Sequence, residues 1–231
     1  MADTRAPQVS VPSTPDARSE IFARIRSANS AAAPPERILT AEEAWQQIPR
    51  AYHATSSLST TSRIDLFTER LREYGAGVYS ASPTSIAATV ADILRQRSKH
   101  KILIASDITP DWLPRDACTF VPDNTLSYVD IEACDGVLTG CAVAITVTGT
   151  LALCHDAAHG RRALTLLPDY HLCVVHAAAI VETVPEAIRT LEPYRTQPIT
   201  LVSGPSATAD IEMTRIQGVH GPRQLDIVIV E

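Results

Sequence analysis

The chain has 231 residues, of which 45% are hydrophobic, and its formal net charge is −6. This size fits one large globular domain or two small ones, and an acidic chain without a long Lys/Arg-rich stretch is a poor match for nucleic acid. Its apolar runs are too short to span a membrane, and its polar, Pro-rich start lacks the apolar segment of a secretory signal. A cytoplasmic protein that does not bind membranes is therefore expected.

The first sixty residues are predicted to lie outside the main domain. Residues 1–15 are polar and Pro-rich, which predicts a disordered arm. Residues 16–60 are predicted to form an N-terminal helical extension, with one helix over Asp16–Asn29 and a short one over Thr40–Gln47. Thr40 and Glu43 match a capping box at the start of the second helix.

Residues 61–231 are predicted to form an α/β domain. Three helices are indicated by apolar stripes and by their end signals, which are Ser62 with Asp65 and Gly75, Ser82 with Pro83, and Thr183 with Glu186. Strands are predicted at 78–81, 101–105, 171–175, 199–202 and 225–230, and a hairpin over 142–154. The alternation favours a mostly parallel sheet flanked by helices, with one antiparallel hairpin inserted.

One segment after a predicted strand combines residues suited to anion binding. Gly204 allows a close backbone approach, Ser206 and Thr208 supply hydroxyls, and Asp210 follows as a capping or proton-handling group. A loop at the carboxyl end of a parallel strand is a usual ligand site, here for a phosphate or carboxylate. The alternative is an ordinary turn whose hydroxyls only cap the backbone.

Two further segments are candidates for the same site. His220 lies in the loop 218–222 between glycines and could serve as acid, base or ligand. Arg161 and Arg162 follow a glycine and could hold an anion through paired hydrogen bonds. A tight turn and a solvated pair of arginines are the alternatives. If the parallel sheet brings these loops to one edge, they form one site.

The histidines and cysteines do not match a metal centre. The five cysteines are widely spaced without a CxxC pair, which argues against zinc ribbons and iron–sulfur clusters. His155 and His159 have helical ligand spacing but follow an apparent strand. Fingerprints of dinucleotide or P-loop binding are missing from the sequence. No metal and no cofactor are therefore predicted.

Several motifs occur together in an order that is characteristic of one family. They are Thr148-Gly149-Thr150, Gly160-Arg161-Arg162, Leu167-Pro168 with His171, the run from Gly204 to Glu212, and Gly218 to Pro222. By these motifs the chain resembles the LUD-domain family. The resemblance implies a fold like the NagB/RpiA/CoA-transferase group. It adds Thr148, Gly149 and Thr150 to the ligand-binding candidates.

The resemblance also implies a role in oxidising L-lactate to pyruvate together with two iron–sulfur partner proteins. The cysteine pattern assigns this chain the part without a cluster. Family members commonly carry a glutamate two residues before the glycine of the Thr-Gly-Thr run, and Val147 stands there instead. An acyl transfer through a glutamate at this position is therefore not expected.

Three functions remain open on the sequence. The first is an accessory, non-iron–sulfur subunit of a lactate-oxidising complex that binds a small carboxylate or phosphate. The second is a stand-alone enzyme of the sugar-phosphate isomerase or CoA-transferase type, with Asp210, Glu212 or His220 as acid or base. The third is a regulatory module that binds a small anion without catalysis.

Overall fold

The computed structural model describes residues 16–30, 39–208, 216–217 and 221–231. The chain divides into two compact units, Met1–Ala51 and Tyr52–Glu231. Within the described ranges, each helix is too short or too polar to cross a lipid bilayer.

The described ranges contain α1 (Ala17–Ser30), α2 (Ala41–Gln46), α3 (Thr60–Glu73), α4 (Ile86–Gln96), α5 (Tyr128–Glu132) and α6 (Val184–Leu191). The first unit holds α1 and α2, and no residue of either helix is buried. The capping box predicted for α2 is confirmed, since the Glu43 amide donates to Thr40 Oγ1 over 3.2 Å and the Glu43 carboxylate accepts from the Thr40 amide over 2.9 Å.

The strands of the second unit form two main sheets. They are β1 (Gly77–Ala81), β2 (Lys101–Ile104), β3 (Thr119–Pro122), β4 (Gly136–Thr139), β5 (Val143–Ile145), β6 (Thr150–Cys154), β7 (Tyr170–His176), β8 (Ile180–Val181), β9 (Ile199–Val202), β10 (Ala207–Thr208), β11 (Ile216–Gln217) and β12 (Gln224–Val230). A parallel sheet has the order β1-β12-β7-β4-β2-β3, a second sheet has the order β8-β5-β6-β9, and β10 pairs with β11 in a separate two-stranded sheet. The prediction of an α/β fold with a mostly parallel sheet flanked by helices is confirmed.

The helices and the two sheets pack in layers through their apolar faces. Helix α4 packs Val90 and Leu94 against one face of the parallel sheet. Helix α3 packs Phe67 and Leu71 against the opposite face, together with Leu151 of the second sheet. Helix α6 covers the far side of the second sheet. Because helices or the second sheet cover both of its faces, the parallel sheet consists of almost continuous apolar strands.

The predicted end of α3 is correct, and its predicted beginning is wrong. The prediction at Gly75 is confirmed, because Gly75 has φ +86° and its amide and that of Ala76 close the helix onto the carbonyls of Arg72 and Leu71. The predicted cap at Ser62 is wrong. The helix begins a turn earlier, and the Ser62 amide donates to the side chain of Ser59, the actual N-cap, over 3.1 Å.

The predicted start of α4 is also wrong. Ser82 does not cap the helix, because residues 82–85 form a separate turn in which the Ser82 amide donates to Ser85 Oγ over 2.9 Å. The helix then begins at Ile86. A serine before a proline therefore marks a turn here and not an N-cap.

The predicted hairpin is confirmed, but it does not belong to the parallel sheet. Strands β5 and β6 pair antiparallel within the second sheet, and β9 pairs antiparallel with β6. The assignment of β9 to the parallel sheet is therefore wrong. The sequence interpretation also missed β4, which lies between β7 and β2 in the parallel sheet, β3, which forms the edge next to β2, and the short helix α5.

A buried carboxylate ties the amino ends of the parallel strands together. Asp226 of β12 is fully buried, and it accepts two hydrogen bonds of 2.7 Å from Arg97 and one of 2.9 Å from the Tyr170 hydroxyl. Burial and the neighbouring Asp226 charge raise the pKa of Tyr170. A Cβ at Gly77 would lie 2.1 Å from Asp226 Oδ1, so the adjoining strand needs a glycine there.

Candidate functional site

A cavity of about 270 Å³ lies where the second sheet meets the parallel sheet. It is lined by Arg162, Thr165, His171, residues 200–207, Gly221, Pro222 and Leu225. His171 and Leu225 are the second residues of β7 and β12, so the cavity adjoins the amino end of the parallel sheet. The expectation that the segment beginning at Gly204 leaves the carboxyl end of a strand of the parallel sheet is wrong. The reason is that the preceding strand, β9, belongs to the second sheet.

The loop after β9 lines the cavity and also packs against neighbouring elements. Gly204 has φ +84°, and an added Cβ would lie 2.5 Å from Cβ of Tyr74. Ser203 Oγ lies 2.7 Å from Thr150 Oγ1. The Ser203 contact holds this loop against β6, and the positive φ and the close approach to Tyr74 at the end of α3 require the glycine.

The described parts of the two predicted loops meet at the cavity. The Ser206 amide donates to the carbonyl oxygen of Pro222 over 2.8 Å, and Gly221 lies beside the Ser206 side chain. Both Ser206 and Gly221 line the cavity. The side chain of Thr208 lies outside the described structure, as do the whole of Asp210, Glu212 and His220, so their assigned roles stay predictions.

The two adjacent arginines point to different places. Arg161 forms a fork on Asp123, with Nε to Oδ2 at 2.6 Å and Nη2 to Oδ1 at 2.9 Å, and it also donates to the carbonyl oxygen of Leu126. It lines a separate cavity of about 200 Å³. Its guanidinium is thus used by the fold itself.

Arg162 supplies the positive charge of the main cavity. Its Nη1 donates to Thr165 Oγ1 over 3.0 Å. Across the part of the chain that the structure describes, no carboxylate forms an ion pair with it, and partial burial lowers its pKa. A half-buried guanidinium without a counterion favours an anionic ligand, since a buried charge needs a partner.

His171 is a second polar side chain of the lining. It is almost fully buried, and its Nε2 lies 2.8 Å from the buried hydroxyl of Thr139. Burial, and next the charge of Arg162, lower its pKa to about 4. The imidazole is therefore neutral at physiological pH, and it can donate or accept a hydrogen bond without adding charge.

The hydroxyls around the cavity are already engaged within the protein. Thr200 Oγ1 lies 2.6 Å from Nε2 of His155, whose Nδ1 donates to the carbonyl oxygen of Gly160 over 2.8 Å. Thr165 accepts from Arg162, and Ser203 is bonded to Thr150. The groups best placed to recognise a ligand are thus Arg162 and the second nitrogen of His171.

The Thr-Gly-Thr run stands behind the cavity and not in its lining. Gly149 has φ +58°, and a Cβ there would lie 2.9 Å from Cβ of Arg70, so the turn packs on α3. Thr150 reaches the cavity only through its bond to Ser203. Val147 is half-exposed and outside the lining. A binding role for Thr148, Gly149 and Thr150 stays a prediction, with no direct contact of theirs to the cavity.

The histidines that suggested metal ligation are held by other partners. Nδ1 of His159 lies 2.8 Å from the carbonyl oxygen of Cys154, and both ring nitrogens of His155 are engaged as described above. Among the described residues, no group of three or more His, Cys, Asp or Glu side chains has the arrangement of a metal site.

The model of the LUD domain family matches residues 64–230 of the chain. The chain belongs to this family. The LUD domain therefore includes every residue named above as lining the cavity, and the helices α1 and α2 precede it.

Relatives of similar length share this sequence along most of the chain. It is 35% identical to "Lactate utilization protein C" of Deinococcus radiodurans, over 95% of this chain and 98% of that protein. It is 28% identical to a protein of the same name from Anoxybacillus flavithermus, over 80% of this chain and 88% of that one. A crystal structure of a DUF162 family protein from Deinococcus radiodurans matches with a TM-score of 0.65 and 33% identity, covering 75% of this chain and 99% of that one.

His171 is the cavity residue that the sequence interpretation did not select. The sequence places it in a strand, in a family motif and among the histidines weighed and rejected as metal ligands, but assigns it no role in binding an anion. The available signal was a histidine near the start of an apolar strand, where a polar side chain needs a buried partner. That partner, Thr139, is 32 residues away in the chain, so the pair became visible only in the fold.

Proposed function

We propose that this chain is the non-iron–sulfur component of a lactate-utilisation system, and that it binds a small carboxylate or phosphate in the cavity at Arg162. The observation that carries the ligand class is the Arg162 guanidinium, which lines the cavity without a carboxylate partner among the described residues. The lactate-utilisation role is supported by the names of relatives that match nearly the whole chain. Iron–sulfur subunits of the same system are the proposed partners.

A complementation experiment tests the role together with the site. In cells that depend on this chain for growth on L-lactate, Arg162→Met is expected to abolish or strongly slow growth, because methionine keeps the apolar stem but removes the anion-binding fork. Arg195→Met is the matched control, since Arg195 is exposed and, among the described residues, its ion-pair partner is Glu192 of the adjoining helical turn. Normal growth with Arg162→Met at wild-type protein levels contradicts the proposed site.

Co-purification tests the partnership separately. Tagged full-length protein from lactate-grown cells is expected to retain partner subunits that contain iron and acid-labile sulfide in proportion to the tagged chain. If no iron-containing protein accompanies the chain under these conditions, the accessory role is contradicted. Anion binding to the purified chain remains a distinct measurement.

A further inference from the structure

Helix α1 of the first unit carries large apolar side chains that lie open to solvent. None of its residues is buried. Ile21 is 57% exposed, Phe22 45% and Ile25 48%. A single exposed apolar residue is ordinary on a protein surface, but neighbouring ones on one short helix form a patch that is typical of a binding surface.

The patch has the spacing of a helix that docks in a groove. Ile21, Ile25 and Ala28 follow the i, i+4, i+7 pattern, so they lie along one side of the helix. Phe22 extends this side, and the guanidinium of Arg18 lies 5.5 Å from the centre of its ring. With three arginines and one glutamate, α1 is positively charged at neutral pH. The docking side is therefore apolar with a positive border.

The length of α1 indicates that it needs a surface to pack on. Isolated helices shorter than about 12–15 residues are marginal in water. Helix α1 has 14 residues, and its serines and asparagine are not strong helix formers. Most helical stability in proteins comes from packing of an amphipathic side, and the described residues of this chain leave that side of α1 uncovered. A second molecule is therefore the expected source of the packing.

Helix α1 lies outside the LUD domain, yet a relative of similar length shares it. The LUD model matches from residue 64 onward. The alignment with the Deinococcus radiodurans protein covers 95% of this chain, and the uncovered 5% is shorter than the segment that precedes α1. The alignment therefore includes all of α1. A shared segment that is neither part of the common domain nor buried is suited to binding another protein.

Charge favours a protein over a lipid surface as the occupant. The formal net charge of the chain is −6, so a membrane with anionic lipids repels it. A helix with an apolar side and a positive border matches an apolar protein groove that has carboxylates at its borders.

We infer that α1 docks through Ile21, Phe22 and Ile25 in an apolar, acid-bordered groove of an iron–sulfur subunit. The inference rests on the proposed lactate-utilisation function and names the surface through which this chain joins its partner. The groove supplies the packing that α1 lacks among the described residues, so binding also stabilises the helix.

Binding of the purified full-length chain to the iron-containing subunits recovered by co-purification tests the inference. Ile21→Ala combined with Ile25→Ala is expected to weaken binding about 30-fold or more, because two buried isoleucines lose most of their apolar area. Alanine favours the helix, so the loss does not come from breaking it. Ser19→Ala combined with Ser27→Ala is the matched control on the other side of α1, and it is expected to bind like wild type.

Two further measurements address the charge and the helix. Arg18→Glu is expected to weaken binding about 10-fold, and raising the salt concentration should weaken the wild-type complex more than that of the variant. In hydrogen exchange, the amides of α1 should exchange quickly in the free chain and become protected in the complex.

Each other outcome has a definite meaning. If the subunits bind the double alanine variant as tightly as wild type, or α1 gains no protection, the inference is overturned while the proposed partnership stands. If light scattering shows a dimer that the same variant converts to a monomer, or phosphatidylserine vesicles bind the chain through these isoleucines, the occupant is a second copy or a membrane, and the inference is also overturned. If no iron-containing subunit binds the wild-type chain, both the inference and the proposed partnership fail.

Discussion

Replacing His171 with glutamine is expected to flatten the dependence of stability on pH between about 6.5 and 4. Burial and the charge of Arg162 lower the pKa of His171 from 6.5 to about 4 in the folded protein. In the unfolded chain the imidazole is hydrated and takes up a proton near its ordinary value. Glutamine keeps a polar side chain at this position but does not titrate.

The sign and size of the effect follow from proton linkage. Between pH 6.5 and 4 the unfolded state binds a proton that the folded state does not, so the free energy of unfolding falls as the pH falls through this window. The loss is complete near the folded pKa of about 4. The difference between the two pKa values corresponds to a loss of about 3 kcal/mol for the wild-type protein relative to the variant.

Urea unfolding followed by circular dichroism at several pH values from 7.5 to 4 measures this difference. Loss of the bond to Thr139 shifts the stability of the variant by a constant amount at every pH, so only the change with pH is informative. Carboxylates that titrate in the same range contribute equally to both proteins and cancel. The m-values should agree if both transitions remain two-state.

A matched substitution at an exposed histidine provides the control. His53 is exposed, so folding alters its surroundings little, and His53→Gln should give a curve parallel to wild type. Parallel curves for wild type and His171→Gln over the whole range would refute the reasoning. They would mean that the buried imidazole keeps its ordinary proton affinity.

Three further substitutions test individual contacts of the fold. Asp226→Asn should lower the free energy of unfolding by about 2–4 kcal/mol in urea, because Arg97 loses its buried counterion, and a change below about 1 kcal/mol would contradict the importance of that pair. Gly204→Ala should lower the free energy of unfolding by about 2 kcal/mol more than Gly75→Ala. Both glycines have positive φ, but only a Cβ at Gly204 meets a side chain. Equal losses of melting temperature in the two variants would refute the packing argument. Glu186→Gln should make unfolding less sensitive to acid. Burial opposes ionisation of the Glu186 carboxylate, but the hydrogen bonds that it accepts hold its pKa near 2, so the wild-type protein alone loses this stabilisation as the pH falls from about 4.5 toward 2. Identical acid unfolding profiles of the two proteins would contradict this role of the hydrogen bonds.

Much of the secondary structure could be predicted because its signals are local. The caps of α2 and α6 depend on hydrogen bonds across three residues, and Gly75 ends α3 through bonds within one turn. The hairpin of β5 and β6 is closed by a few residues. Errors occurred where two local signals competed. Ser82 before a proline matches an N-cap, but it forms a turn with Ser85 instead, so α4 begins only at Ile86.

The sequence by itself determined the α/β class and most of the apolar strands and helices, and it predicts the segments around Gly204 and Arg162 as places for a ligand. Only the tertiary structure decided that β9 joins the second sheet and that the cavity lies at the amino end of the parallel strands. It also separated Arg161, bound to Asp123, from Arg162 in the cavity. The physical reason is that strand partners and buried polar pairs such as His171 with Thr139 join residues far apart in the chain, where spacing and residue type carry no information about the partner.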